Sequence, residues 1–133
     1  DVNISWCTDL VESGCSLAWS PEVNNGPCPE GWRVPTKEEL EAIFLAHKAS
    51  SLFSGNGLKI TGDDKKNTLF LPAAGSVRMG ATDQSQGATC MYWCSGFSDT
   101  EGKAYRLYAT SSGNSGFNPL SISEAYSVRC VQQ

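Results

Sequence analysis

The chain has 133 residues, 40% of them hydrophobic, a formal net charge of −4 and a pI near 4.9. That length accommodates one domain with an adequate core. The acidic balance argues against the basic face that non-specific nucleic-acid binding needs, and no apolar run approaches the ~20 residues of a membrane-spanning helix.

The opening residues, Asp1 to Leu10, have neither the basic start nor the apolar stretch of a signal peptide. Asp1 is therefore expected to lie inside a longer natural chain. Residues 1–27 read as irregular, with a short strand over Val2 to Trp6, where apolar and polar residues alternate. Asn3 begins a glycosylation sequon, meaningful only in eukaryotic secretion. Ser20 to Gly31, dense in Pro, Gly and Asn, reads as loop.

A helix is expected next, from Lys37 to about Ala49. Thr36 and Glu39 have the spacing of a capping box, in which each side chain binds the other residue's backbone N–H. Glu38, Glu39 and Glu41 lie where the helix dipole favours negative charge. Leu40, Ile43, Phe44 and His47 share one face, His47 as a partly buried side chain with a backbone partner.

Short strands follow. Leu58 to Thr61 and Thr68 to Leu71 flank a Gly-Asp-Asp-Lys-Lys-Asn turn, and residues 72–88 read as a long loop. Thr89 to Cys94 reads as a buried strand. Lys103 to Thr110 alternates, with Tyr105, Leu107 and Ala109 on one side and Arg106 and Tyr108 on the other. Phe117 to Ile122 is a weaker strand. Ala125 to Val131 alternates cleanly, with Tyr126, Val128 and Cys130 facing one way. One helix followed by an antiparallel run of strands gives an α+β domain.

Six cysteines in so short a chain imply an oxidising compartment and a disulfide framework, with 15 possible pairings. A zinc site would want two close ligand pairs, and the spacings here do not supply them. No CxxC redox motif is present. Asp63, Asp64, Asp99 and Glu101 could invite calcium, which takes six to eight oxygens, but they read more simply as solvated turn residues. No metal or cofactor is expected.

The segments GPCPEGWRVPTKEELEAI, FLPAAG, YWCSG, AYRLY and AYSVRCV, in that order, resemble the Fibrobacter succinogenes major paralogous domain. The resemblance runs from about Gly26 to Val131. It implies a C-type-lectin-like fold, in the variant shared with formylglycine-generating enzymes: one main helix packed on a twisted, mostly antiparallel sheet with long loops. It implies a Cys28–Cys130 disulfide that brings the two ends together, and it places Trp32 and Trp93 near the sheet, where both are expected in the core. Cys90 and Cys94 depart from the family pattern.

Proximity alone pairs Cys7 with Cys15 and Cys90 with Cys94. The second pairing demands a bend at Met91 to Trp93, because bridged Cα atoms must lie within ~7 Å; in a straight strand Cys90 must pair elsewhere. Formylglycine-type chemistry would need Cys90 or Cys94 to be reactive, and no histidine or acid is placed to activate either. Calcium-dependent sugar binding lacks its motifs.

The resemblance implies a secreted or surface-displayed bacterial module, and the expected role is non-catalytic. Its partner is expected to be a glycan or protein on a host or neighbouring cell, with no nucleic acid and no membrane span in this stretch. A structural spacer or tip domain is the alternative. Some lectin-like proteins of this fold type are diversified at C-terminal positions, a narrower variant of the same role.

Residues Gly96 to Glu124 combine aromatics with small polar groups, the mixture that binding loops use. Phe97, Arg106, Tyr108, Asn114 and Phe117 are the candidate contacts, with Tyr108 and Phe117 expected to be partly exposed and close in space. The competing reading makes them ordinary strand residues with inward-pointing rings.

Overall fold

The computed structural model describes residues 27–47, 51–77, 85–100 and 102–133. The expected Val2 to Trp6 strand, the Cys7–Cys15 pairing, the Asn3 sequon and Glu101 lie outside the described residues. The elements in chain order are β1 (Trp32–Arg33), α1 (Lys37–Ala46), β2 (Ser51–Ser54), β3 (Gly57–Thr61), β4 (Thr68–Pro72), β5 (Thr89–Phe97), β6 (Lys103–Thr110), β7 (Ser115–Ser121) and β8 (Val131–Gln132). The fold is α+β: one helix with three antiparallel sheets, in the orders β1-β8, β2-β3-β4 and β5-β6-β7.

The first and last strands are two residues each, too short to hold together alone. The Cys28–Cys130 disulfide clamps them, with its Cα atoms 5.9 Å apart and 102 residues of sequence between them. The Gln133 N–H extends the pairing by donating to the Gly31 carbonyl. Trp32 is nevertheless 42% exposed, not a core residue; it stands on a ribbon of two short strands, not on one of the larger sheets.

Helix α1 begins with the expected capping box: Glu39 N–H donates to Thr36 Oγ1, and Thr36 N–H donates to Glu39 Oε2. The Glu39 carboxylate also takes a two-pronged ion pair from Arg33, at 2.7 and 2.5 Å. One side chain thus fixes the helix start to β1. The helix ends at Ala46, before the expected Ala49, with His47 as its C-cap. Leu40 and Phe44 are buried, whereas Ile43 is exposed, so the apolar stripe is narrower than the spacing implies.

The Arg33 guanidinium holds the Glu39 carboxyl down at about 2. A carboxyl lowered by folding contributes stability that is present above its ordinary value of about 4.3. That stability is lost as pH falls toward the folded value, because the unfolded chain takes up the proton first. Acid unfolding of the wild type is therefore expected to show a steeper loss across this window than Glu39→Gln. Parallel stability curves for the two would contradict the linkage.

Strand pairing sets two faces on the β5-β6-β7 sheet. Cys90, Tyr92, Leu107, Ala109 and Phe117 fall on one face by register. That face meets α1 and the inner side of β2-β3-β4, forming a core with Leu40, Phe44, Leu58, Ile60, Leu71 and Cys94. Phe44 meets Phe117 edge-on at 6.3 Å. The opposite face carries Trp93, Ala104 and, on the covering C-terminal segment, Tyr126; Met91, Phe97, Leu120, Ile122 and Val128 pack around them.

The stretch from Ala125 to Val131, expected as one strand, contributes only Val131 to a strand, β8; before that residue it forms isolated bridges, Val77 to Ala125 and Tyr92 to Ser127. Its alternation is real, since Tyr126 and Val128 pack inward. It runs as an irregular cover, however, whose Ser127 binds the outer edge of β5 through Trp93 N–H and the Met91 carbonyl. Strand β2 was not anticipated from sequence. Among the described residues no helix is long and apolar enough to cross a membrane.

Candidate binding surface

The five expected contact residues do not share a surface. Tyr108 and Phe117 are both partly exposed, but Tyr108 pairs with Gly116 and Phe117 with Leu107. In a pleated sheet those two rows point to opposite sides, and Phe117 turns toward α1. Arg106 is buried, at 7% exposure. Its guanidinium lies over the rings of Tyr108 and Tyr126, at 5.3 and 5.0 Å, so it holds the C-terminal cover to the sheet. Phe97 packs into the same second core.

Asn114 alone is fully on the surface, in the tip between β6 and β7. Its N–H and carbonyl both bind Thr110, which closes the turn upon itself.

The two cysteines of β5 are free thiols, not a disulfide. Residues Cys90 to Trp93 pair with Ala109 to Arg106 in unbroken register, and the irregularity comes only between Trp93 and Phe97. Four residues of strand separate the thiols by about 13 Å. The Cys90 thiol donates to the Leu71 carbonyl. Burial pushes both thiols up, Cys94 to about 12. A thiol held protonated is a poor nucleophile. Alkylation of the native protein is therefore expected to leave Cys90 and Cys94 unmodified until denaturant is added, as read by mass mapping of labelled peptides; rapid native labelling of either would contradict their burial.

The acidic turn is self-contained. Asp64 Oδ1 accepts the N–H groups of Lys66 and Asn67, and its other oxygen accepts from the Asn67 side chain. Asp63 Oδ1 lies 3.4 Å from His47 Nδ1, so the imidazole faces a carboxylate. Among the described residues no group of three His, Cys, Asp or Glu side chains could hold a metal ion.

The surface that sequence reasoning missed lies on the outer side of β2-β3-β4. The register aligns Leu52, Lys59 and Phe70 in one cross-strand row. Leu52 is 65% and Phe70 46% exposed, while the alternate residues Leu58, Ile60 and Leu71 fill the core. The Phe70 ring lies over Gly57, where an added Cβ would come within 2.5 Å of Cζ and 2.6 Å of the Leu71 carbonyl oxygen. The bare glycine backbone is what leaves room for the ring there.

Beside it, Asn56, Pro72, Ala73, Ala74, Gln86 and Gly87 line an open recess of about 580 Å³. It forms where the β2–β3 turn, the exit of β4 and the approach to β5 converge. The Ala73 N–H donates to the Asn56 carbonyl at 2.6 Å, and the Gly87 N–H to the Ala73 carbonyl at 2.7 Å. Comparison with protein-family models, curated proteins and solved structures finds no match for the chain.

Proposed function

We propose that this chain is a non-catalytic binding module of a secreted or surface-displayed bacterial protein. In this reading it has a C-type-lectin-like fold and belongs with the Fibrobacter succinogenes major paralogous domains, on the CPEGWRVPT and SVRCV motifs. The disulfide between those motifs supports an oxidising location. The partner is a glycan or protein on a host or neighbouring cell.

The observation that carries this reading is the outward row of Leu52, Lys59 and Phe70. An aromatic and an aliphatic side chain flanking the Lys59 stem in one row of a three-stranded sheet offer outward apolar contact area at little entropic cost. The binding face is thus moved from the C-terminal loops to the β2-β3-β4 sheet.

The test is binding of the purified chain to arrayed glycans and to immobilised bacterial and host surface proteins. A Leu52→Ser/Phe70→Ser double variant is expected to lose the interaction, and Asn114→Ala to keep it. Binding lost in Asn114→Ala and retained in the double variant would return the site to the C-terminal loops.

A second reading, a spacer or tip domain, draws on strand edges. Among the described residues, strands β2 and β7 stand at the edges of their sheets, and a sheet edge can add a strand from a neighbour. Concentration-dependent self-association in sedimentation, abolished by a proline in β2, would favour that reading.

A further inference from the structure

We propose that the recess beside Phe70 is a subsite for an uncharged carbohydrate, an inference that rests on the binding role above and names its ligand class. Among the described residues, the six that line it carry no ionisable group. An anionic ligand would need a cation inside the recess, and the chain's net charge of −4 would repel it.

What the lining offers instead is two side-chain amides, Asn56 and Gln86, both solvent-exposed. Each carries an acceptor oxygen and two N–H donors. A pair of neighbouring sugar hydroxyls, each both donor and acceptor, complements such a group. The volume, about 580 Å³, is within the range of small-ligand sites.

The apolar half of the site is Phe70. Gly57 pairs with Pro72, and the Phe70 ring lies over Gly57. The ring therefore lies next to Pro72, at the rim of the recess. A pyranose has one face lined with C–H groups, which carry partial positive charge. The electron-rich face of an aromatic ring attracts such a surface, while the hydroxyls at the sugar's edge remain free for the amides.

The walls are fixed by backbone bonds from Ala73 and Gly87 and by the Tyr92 hydroxyl, which donates to the Pro72 carbonyl. Gly87 has φ +78°, and an added Cβ would lie 3.7 Å from Asn56 Oδ1. A side chain there would be strained and would project beside the amide.

The test is calorimetric titration of the full chain with neutral hexasaccharides of glucose, mannose, xylose and N-acetylglucosamine, with polygalacturonate as the charged comparison. At least one neutral hexasaccharide is expected to bind. Phe70→Ala and Asn56→Ala should each weaken it at least tenfold, about 1.4 kcal/mol, and Asn114→Ala should leave it unchanged. Gln86→Ala, at an exposed position, gives the same reading should Phe70→Ala perturb folding.

Absence of binding to every saccharide, preference for polygalacturonate, or affinity unchanged in both Asn56→Ala and Gln86→Ala would overturn the proposal. A protein partner lost in the Leu52→Ser/Phe70→Ser variant, with no saccharide bound, would overturn this inference and leave the binding role standing.

Discussion

Replacing Cys28 and Cys130 together with alanine is expected to lower the free energy of unfolding by about 4–5 kcal/mol. The two residues close a loop of 102 residues. In the unfolded chain that closure removes a large set of open conformations, and the chain-entropy argument scales with the logarithm of loop length. A domain of this size holds roughly 5–15 kcal/mol in total, so the link is a substantial share.

The local consequence is separable. Strands β1 and β8 share a two-residue register, and without the clamp they should fray first. Arg33 would lose its fixed position, and with it the ion pair that anchors the start of α1. Urea unfolding of the double variant should show a midpoint well below the wild type. Coincident midpoints would mean that the ends are held by other contacts.

Truncating Trp93 to alanine is expected to cost about 3–5 kcal/mol, the range for a large aromatic removed from a core. Trp93 has no exposed surface. Its indole lies 4.6 Å from the Tyr126 ring, centroid to centroid, and it is the largest member of the second core. That core joins the C-terminal cover to the sheet, so loss of the indole should loosen residues around Tyr126 before the helix side of the molecule. Trp93→Phe should cost less, since a ring remains to meet Tyr126. Near-UV circular dichroism and urea midpoints distinguish these outcomes. A Trp93→Ala penalty under about 1 kcal/mol would be inconsistent with full burial.

The second core also explains why part of the chain could be read from sequence and part could not. The start of α1 was legible because capping is local: Thr36 and Glu39 carry the signal within four residues. Strand β6 was legible because its alternation is strict. Alternation assigns residues to two faces, but it does not say which face meets water. Arg106 and Tyr108 look like an outward row, yet residues over a hundred positions into the chain return to cover it. The guanidinium is accommodated there by two aromatic rings.

The exposed row on the other sheet was hidden for the opposite reason. Leu69, Phe70 and Leu71 are all apolar, so no period marks Phe70 as outward. Only pairing with β3 fixes the face, and only Gly57 leaves space for the ring. The proximity of Cys90 and Cys94 misled for a related cause: nearness along a straight strand is not nearness in space.

The most direct measurement is a backbone amide chemical-shift map of the isotopically labelled chain, titrated with the tightest partner from the glycan and surface-protein panels. The largest changes are expected at Asn56, Gly57, Phe70 and Gln86, with the β6–β7 tip and Tyr108 unmoved. Changes centred on Ser111 to Asn114, with Phe70 and its neighbours silent, would contradict a binding face on the β2-β3-β4 sheet.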